Sequence, residues 1–232
     1  MEAIKLKDLL YDLINLILAI GLFIICLPVF LLAGILVKID SRGPLFYAQE
    51  RYAKNKKVFN IYKFRTMKQG AEKDNCPIWG DEDDSRSSAI GKFLRVSHID
   101  ELPQLLNVLK WEMSLVGPRP ERPYFAEKFK CSIPDYESRY KVKPGITGWS
   151  QINGWRGNSS LKKRTELDIY YINNRSLLFD LKILLMTLFA KPIVSAIKKD
   201  SDRKEDYCLT FSQLGIKAFR KKKLFKTPIM NA

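Results

Sequence analysis

The sequence predicts a mostly helical α+β protein. An N-terminal re-entrant (helix-break-helix) membrane hairpin is expected to carry one small domain that faces the cytosol and lies on the membrane surface. The observations behind this are an uncharged apolar run over residues 16–37, two β-rich stretches after it, and four leucines that recur with the spacing of one helix face. The chain divides into a membrane hairpin at 1–40, one domain at 41–195 and a basic tail at 196–232.

Length and composition narrow the class of protein. With 232 residues, the chain can bury one domain beside a membrane segment. Forty Lys and Arg oppose 25 Asp and Glu, and the formal charge of +15 indicates a polyanionic partner such as nucleic acid, anionic lipid or a phosphorylated substrate. The four cysteines form no C-x-x-C pair, so neither a disulfide framework nor a zinc site is predicted.

The apolar run decides the membrane topology. Its 22 residues would form about 33 Å of helix, enough to cross a bilayer. It is too long for the apolar core of a signal peptide, and no small-x-small cleavage site follows it. A single-pass anchor is therefore one interpretation. Pro28 near the middle favours a second one, because its ring removes a backbone hydrogen bond and bends the helix.

Basic residues flank the apolar run on both sides. Lys5 and Lys7 precede it, and Lys38 and Arg42 are the first of several that follow. The positive-inside rule therefore keeps both ends in the cytosol. We expect a re-entrant hairpin that breaks at Pro28, and either topology leaves the basic domain on the cytosolic face of the membrane.

The rest of the chain alternates turns with short elements. The first predicted elements are a turn at Gly43-Pro44, strands at 45–49 and 57–67, and a polar segment at 69–88 with an acidic run at 81–84. Residues 90–96 then lead into a helix at 102–109, and a short helix at 125–129, a glycine-punctuated loop at 145–157 and a membrane-interface helix at 177–194 follow. The loop has the irregular composition of a binding loop. Six basic residues at 217–226 are either a solvated tail or a clamp on anionic lipid.

Two adjacent carboxylates open the amphipathic helix at 102–109. Pro103 is tolerated only in the first turn of a helix, which makes Asp100 a candidate N-cap with Glu101 just inside. The helix dipole favours an acidic pair at this place without any catalysis. A catalytic pair is the alternative, because arginines, which bind phosphate oxygens through a planar fork, flank it at Arg95, Arg119 and Arg122.

Several sequence blocks, in order over about residues 10–190, carry a family resemblance. They are GPLFYAQER, NIYKFRTM, IGKFLRVSHIDELPQLLNVLK, MSLVGPRPERP, KPGITGWSQINGWRG and LDIYYINNRSLLFDLKILL. Together they resemble the bacterial sugar transferase family of monotopic polyprenyl-phosphate phosphoglycosyltransferases. These enzymes start the assembly of exopolysaccharides, O-antigens and glycoprotein glycans at the cytosolic face of the bacterial inner membrane.

The resemblance implies a reaction and a site. The family's Asp-Glu dyad falls on Asp100 and Glu101. Asp100 would attack the β-phosphate of a UDP-sugar to give a phosphosugar enzyme and UMP, and undecaprenyl or another polyprenyl phosphate would then attack that intermediate, a ping-pong scheme. The family depends on Mg²⁺, implied here at Asp100 and Glu101. The re-entrant hairpin with a central proline falls on Pro28.

The resemblance also implies substrate-binding positions and partners. The resemblance implies Lys63, Arg65, Arg95 and Arg119 as substrate- and phosphate-binding residues. The residue patterns add Arg122 from the proline-braced loop, Gln151 from the glycine-punctuated loop and Asp168 from the segment after it. Asp168 shares a helix face with Tyr171, which a core-facing helix would also show. The expected partners are a UDP-sugar, a polyprenyl phosphate and inner-membrane lipids, with no nucleic acid. The sequence predicts neither the sugar nor the oligomeric state.

Three positions qualify the resemblance. The family usually has glycines where Ala53 and Lys56 stand, so any left-handed residue of that turn falls to Asn55. Trp111 replaces a common glycine just after the helix. His98, two residues before Asp100, is interpreted as a packing or hydrogen-bonding residue rather than as a general base.

Two other functional classes remain open at this point. A membrane-tethered nucleic-acid-binding protein would use the basic surface, but the acidic run and the acidic pair have no purpose in a polyanion groove, and no recognition motif is present. A phosphohydrolase with the same dyad and metal would release sugar phosphate without a lipid acceptor.

Overall fold

The computed structural model of the chain describes residues 2–67, 86–157 and 159–197. The helices are α1 (Glu2–Asp40), α2 (Ala89–Ser97), α3 (Gln104–Leu109), α4 (Pro123–Lys130), α5 (Trp149–Ile152), α6 (Leu161–Asn173) and α7 (Leu177–Ile197). The strands are β1 (Phe46–Tyr52), β2 (Val58–Phe64), β3 (Ser114–Val116) and β4 (Gly145–Thr147). The predicted acidic run at 81–84 and the basic tail from residue 198 onward lie outside the described residues.

Helix α1 is the longest element. Its stretch Leu9–Asp40 contains an 18-residue window with a mean hydropathy of 3.0 and is long and apolar enough to cross a membrane. Pro28 lies inside α1, and the helix continues on both sides of it. A mostly helical α+β fold with one long apolar N-terminal helix is therefore confirmed, whereas the re-entrant course of that helix stays a prediction.

The predicted hairpin of strands is confirmed. β1 and β2 pair antiparallel, with Phe46 opposite Phe64 and Tyr52 opposite Val58. β1 extends three residues beyond its predicted end at 49. The turn contains Asn55 at φ 58° and Lys56 at φ 59°, so Asn55 takes the left-handed conformation expected of it and Lys56 shares the strain.

A second, parallel pair of strands was absent from the sequence prediction. β3 pairs with β4 in the register Ser114 with Gly145 and Val116 with Thr147. The backbones come so close that a Cβ atom on Gly145 would lie 2.0 Å from the Gly117 amide nitrogen. Only glycine fits there. Strands of three residues carry too little alternation for a periodicity to reveal them.

The two halves of α1 pack on the same domain. In the N-terminal half, Ala19 belongs to a buried cluster with Leu105 of α3 and Ile183 of α7. In the C-terminal half, Ala33 and Val37 belong to a separate cluster, which also holds Phe64 of β2 and Leu94 of α2. The domain therefore lies along α1 instead of extending from one end of it.

Polar contacts fix the N-terminal half of α1. The Asn15 Oδ1 atom accepts hydrogen bonds from the Ser114 hydroxyl at 2.8 Å and from the Leu115 amide at 3.3 Å. Lys143 Nζ lies 2.8 Å from Asp12 Oδ2. A buried asparagine in an otherwise apolar helix is costly unless its amide is hydrogen-bonded, so these bonds specify where α1 meets β3.

Candidate active site

The acidic pair lies in a short 3₁₀ turn between two helices. Helix α2 ends at His98, which has φ 60°, and the turn Ile99–Glu101 follows it. Helix α3 begins only at Gln104, after Pro103 as its N-cap. The prediction that Asp100 caps the helix is therefore wrong, because Asp100 precedes the cap by a full turn. The 3₁₀ turn still buries Asp100, which exposes 6% of its surface.

Glu101 is held by two cations from distant parts of the chain. Lys63 Nζ, from β2, lies 2.6 Å from Glu101 Oε1. Arg119, from the loop after β3, places Nη2 at 2.6 Å from Oε1 and Nη1 at 3.3 Å from Oε2. Burial alone would raise the pKa of Glu101, but Arg119 and Lys63 outweigh it and hold that pKa well below its ordinary value. Glu101 is therefore ionised, with both oxygens engaged.

Asp100 has the opposite environment. Among the residues that the structure describes, its carboxylate has no hydrogen-bond or ion-pair partner, although Glu101 beside it has two. Burial raises the pKa of Asp100 to about 6, the charge of Glu101 adds to the rise, and Lys63 and Arg119 oppose it. At neutral pH, Asp100 is thus a charged carboxylate with a raised pKa and no bonding partner in the described part of the chain.

The loop that carries Arg119 is supported by a buried ion pair. Arg139 donates from Nη2 to the backbone carbonyl of Arg119 at 2.9 Å and from Nε to Asp168 Oδ2 at 2.8 Å. Ser150 donates to the other oxygen, Asp168 Oδ1, at 2.7 Å. Asp168 therefore lies in a layer behind Arg119, with both of its oxygens engaged there.

A second buried ion pair supports the same loop. Arg164 Nη1 of α6 lies 2.9 Å from Glu121 Oε1, and both side chains are almost fully buried. Arg51 Nη1 lies 3.9 Å from Glu121 Oε2. Sequence reasoning missed Glu121, Arg139 and Arg164. The available signal was a charged residue within an aromatic stretch, as in Arg139 between Tyr136 and Tyr140.

Two more of the predicted basic residues bond serines outside the acidic pair. Arg95 is close enough to Asp100 to lower its pKa, and Nη1 donates to the Ser87 hydroxyl at 2.9 Å. Arg65 donates from Nη2 to the backbone carbonyl and the hydroxyl of Ser41, both at 2.8 Å. Arg65 is 9% exposed, and its Nε and Nη1 atoms have no hydrogen-bond partner among the described residues.

Two further predicted residues have other neighbours. Arg122 is the N-cap residue of α4, and its guanidinium carbon lies 5.7 Å from the centre of the Phe125 ring. Gln151 donates from Nε2 to the Ile146 carbonyl at 3.2 Å, and its buried Oε1 has no hydrogen-bond partner among the described residues. Lys63 and Arg119 therefore bond Glu101 of the acidic pair. The contacts described for Arg122 and Gln151 are with other residues.

The acidic pair fits Mg²⁺ only in part. No group of three His, Cys, Asp or Glu side chains that could hold a metal ion occurs within the described ranges. Magnesium commonly takes one or two carboxylates and completes its shell with substrate phosphates and water. The free carboxylate of Asp100 fits that role, whereas both oxygens of Glu101 are bonded to Lys63 and Arg119.

Comparison with known proteins places the chain in a family. The family model described as bacterial sugar transferase matches residues 6–192. The chain belongs to this family. The match includes α1, the acidic pair and both ion pairs behind it, so the resemblance expected over residues 10–190 is confirmed. The basic tail lies beyond it.

Three relatives of this sugar transferase have names that state a reaction. The UDP-glucose:undecaprenyl-phosphate glucose-1-phosphate transferase of Escherichia coli (strain K12) is 41% identical over 179 residues, 75% of this chain and 38% of the relative. The UDP-N-acetylgalactosamine-undecaprenyl-phosphate N-acetylgalactosaminephosphotransferase of Aeromonas hydrophila is 40% identical over 179 residues, 76% of this chain and 41% of the relative. A UDP-glucose:undecaprenyl-phosphate glucose-1-phosphate transferase of Caulobacter vibrioides is 38% identical over 191 residues, 80% of this chain and 70% of the relative. The sugar transferase thus spans well under half the length of the first two.

Proposed function

We propose that this chain transfers a sugar 1-phosphate from a UDP-sugar to undecaprenyl phosphate or a similar polyprenyl phosphate, giving a polyprenyl-diphosphate-sugar and UMP. The observation that carries the proposal is the asymmetry of the acidic pair, in which Glu101 is bonded to two cations and Asp100 has no bonding partner among the residues that the structure describes. The names of the three relatives support the substrate classes, because each describes a UDP-sugar donor and an undecaprenyl phosphate acceptor.

In the first half-reaction, an Asp100 carboxylate oxygen attacks the β-phosphorus of the UDP-sugar. A bond forms between that oxygen and phosphorus, and the bond from the β-phosphorus to the bridging oxygen breaks, so that UMP leaves with the bridging oxygen. The raised pKa of Asp100 means a more basic carboxylate and therefore a better nucleophile, and none of the described residues bonds it. Lys63 and Arg119 place positive charge beside the acidic pair, where it would stabilise the negative charge that develops on the departing UMP.

In the second half-reaction, an oxygen of the polyprenyl phosphate attacks the same phosphorus. The new bond completes the lipid diphosphate, and the bond to Asp100 breaks, which restores its carboxylate. Because Asp100 leaves as the anion that it was at the start, neither step needs a proton from Glu101. The role of Glu101 is then to fix Lys63 and Arg119 in place.

Magnesium belongs to the proposal as the cation that Asp100 would hold together with the diphosphate. When bound, it would supply charge neutralisation between an anionic nucleophile and an anionic phosphate. Glu101 would contribute an oxygen only if Lys63 or Arg119 released it.

The contacts of α1 support a re-entrant course in the membrane. Residues 12 and 38 are separated by about 39 Å along a straight helix. Near the first of them, Asp12 bonds Lys143, and near the second, Val37 packs with Phe64. Both partners belong to one domain, and a polar domain cannot itself cross the bilayer. A helix that enters and leaves through the cytosolic face of the inner membrane, bent at Pro28, allows both contacts.

Helix α7 supports the position of the domain on the membrane surface. Its described part exposes large apolar side chains, namely Leu177, Leu178, Leu181, Leu185 and Leu188. Exposed apolar patches of this kind mark membrane or protein contacts in soluble domains. A helix in the plane of the interface would bury them among lipids.

The proposal is tested by replacing the nucleophile. Asp100→Asn keeps the shape of the side chain but removes the attacking charge, so UMP release from a panel of UDP-sugars with undecaprenyl phosphate and Mg²⁺ should fall by about 10⁴ to 10⁶-fold. The phosphosugar adduct, detected on the intact chain by mass spectrometry, should be absent. Glu166→Gln on the exposed face of α6 is the matched control and should retain full rate.

Retained turnover in Asp100→Asn would refute the assignment of the nucleophile. Product analysis separates the remaining alternative. A phosphohydrolase would release free sugar phosphate equally well with and without undecaprenyl phosphate, whereas the proposed transferase forms a lipid-linked sugar only when the acceptor is present.

A further inference from the structure

An apolar groove runs beside the C-terminal half of α1. It is lined by Phe30, Leu31, Gly34, Ile35, Lys38, Ile39 and Leu45, and its volume is about 430 Å³. Ligand pockets in proteins commonly have volumes of roughly 300–1,000 Å³. Every lining residue except Lys38 is apolar, so the groove suits a hydrocarbon chain.

The groove is open because Gly34 has no side chain to fill it. A Cβ atom on Gly34 would meet only the side chain of Leu45 within 4 Å, the nearest atom at 3.7 Å. On one side, Phe30 is held by the rings of Phe64 and Phe46, at centroid distances of 4.9 and 6.0 Å. A larger residue in place of Gly34 would therefore fill the groove without a clash of backbone atoms.

The groove is continuous with the packing beneath the acidic pair. Phe30 and Leu45 pack in the same cluster as Ile99 and Leu102, the residues on either side of Asp100 and Glu101. The wall of the groove and the turn that carries the nucleophile therefore share one hydrophobic cluster. A chain lying in the groove would therefore contact the same cluster that packs against the turn carrying the acidic pair.

A row of cations leads from the groove to the acidic pair. Lys38 donates one hydrogen bond, to the Gly43 carbonyl at 3.0 Å, and keeps two donors. Gly43 packs against the Arg65 guanidinium, where a Cβ atom would lie 2.2 Å from Nη1. Lys63 lies two residues before Arg65 on the same face of the chain, and it bonds Glu101.

Arg65 is the cation of this row whose buried donor atoms lack hydrogen-bond partners among the described residues. Its side chain is almost fully buried, and its Nε and Nη1 atoms lack hydrogen-bond partners among the described residues. A buried donor without a partner is costly, whereas the guanidinium fork matches phosphate oxygens. An anion that reached Arg65 would satisfy these donors.

We propose that the groove holds the phosphate-proximal part of the isoprenoid tail of a polyprenyl phosphate, with Lys38 and Arg65 receiving the phosphate on its way to Asp100. This inference rests on the proposed function and adds a binding site for the acceptor. The groove opens among exposed apolar residues of α1, Leu31 at 59%, Ile35 at 57% and Ile39 at 74%, so a lipid can enter it from the bilayer without crossing water.

The test uses the full chain in lipid nanodiscs and an undecaprenyl phosphate analogue with a diazirine in its isoprenoid tail. After irradiation, labelled peptides should map to residues 30–45. Gly34→Leu fills the groove and should lower this labelling at least about tenfold. Gly21→Leu is the matched control, because a Cβ there meets nothing within 4 Å and the residue lies on the same helix away from the groove. Both changes favour the helix, so the fold is retained.

Competition identifies the occupant. Undecaprenyl phosphate should displace the probe, undecaprenol should displace it less well, and Lys38→Gln should reduce the difference between the two. Equal competition by phosphatidylglycerol would overturn the proposal in favour of a general lipid surface, as would labelling that Gly34→Leu leaves unchanged. Equal competition by undecaprenol would overturn the phosphate-receiving role of Lys38 and Arg65.

One further measurement keeps the two proposals apart. UMP release by the wild-type chain from UDP-sugars without acceptor tests the first half-reaction alone. If it is absent across the panel, the proposed function fails whatever the labelling shows. If it is present and labelling ignores the groove, only the groove proposal fails.

Discussion

Asp100 and Glu101 are neighbours in sequence with opposite electrostatic environments. Glu101 is ionised because Arg119 and Lys63 bond both of its oxygens, which lowers its pKa against the effect of burial. Asp100 is buried next to that negative charge, and its pKa rises to about 6. Two carboxylates whose pKa values are driven apart have divided roles, in which one is the reactive group and the other organises its surroundings.

The titration of Asp100 provides a direct prediction. In the metal-free chain, its carboxyl should become protonated with a midpoint near pH 6, about two units above the ordinary 3.8. The protonated-carboxyl infrared band, taken as the difference between the wild type and Asp100→Asn, reports that midpoint. Below it the nucleophile is neutral, so activity at fixed Mg²⁺ should also decline toward acid pH.

Glu101→Gln is the control for the cause of this shift. The change removes a neighbouring negative charge and frees Lys63 and Arg119 to interact with Asp100. Both effects favour the charged form, so the midpoint of Asp100 should move to lower pH. A midpoint that stays near 6, or one near 4 in the wild type, would contradict the assigned environment.

The sequence could predict the acidic pair but not its asymmetry. Adjacent carboxylates before an amphipathic helix are visible in the sequence, and the family resemblance assigned them a role. Which of the two is free depends on Lys63 and Arg119, at 38 and 18 positions from Glu101. Such long-range pairing has no local signal. The same reason hid Arg139, whose partner Asp168 lies on α6.

At the scale of elements, α6 supports the loop that carries Arg119. Asp168 of α6 bonds Arg139, and Arg139 bonds the Arg119 carbonyl. Arg164, one turn earlier on the same helix, bonds Glu121 beyond Arg119. One helix therefore fixes the loop at Arg119 and again two residues beyond it. Placing these side chains on rigid elements suits a site that must hold a diphosphate in one orientation.

Removing Asp168 from its buried ion pair with Arg139 should lower the stability of the protein. Asp168→Asn leaves Arg139 charged and buried without a counterion, which costs about 3 kcal/mol or more in the free energy of unfolding. For a chain of this size, the melting temperature in detergent should fall by roughly 6–12 °C. Glu166→Gln, which breaks an exposed pair with Lys163 on the same helix, should change it little. Equal melting temperatures for both variants would show that the buried pair is not structural.

Local signals predicted some elements and not others. The β1–β2 hairpin was predictable because its strands contain β-branched and aromatic residues on both sides of a polar turn. The start of α3 was misplaced because Pro103 is compatible with the first turn of either an α-helix or a 3₁₀ turn. The β3–β4 pair was missed since its partners are about 30 residues apart and the parallel pairing is set by the tertiary fold.

At the scale of the whole molecule, the main feature is that the domain packs against both halves of α1. The two hydrophobic clusters and the Asn15 contact join the domain to both halves of α1, and they lie on either side of Pro28. The sequence indicated a membrane segment and a bend, but it did not indicate that one domain packs along both halves. That contact is what supports placing the acidic pair, the groove and the lipid surface on one side of the membrane.

This topology predicts that both ends of α1 are accessible from the same face. Cys131 is an exposed cysteine on the domain and can serve as an internal reference after Cys26, Cys76 and Cys208 are changed to serine. A second cysteine is then introduced as either Leu9→Cys or Arg42→Cys, both at exposed positions. In inverted inner-membrane vesicles, a membrane-impermeant maleimide should label both sites as fully as Cys131, and in intact spheroplasts it should label none of them. A spanning α1 would instead give labelling of Leu9→Cys in spheroplasts and of Arg42→Cys in inverted vesicles. That result would contradict the re-entrant course.

A spanning α1 would also require that the polar contacts of Asp12 and Asn15 with the domain are absent in the membrane, since a domain on the cytosolic face could no longer reach these two residues.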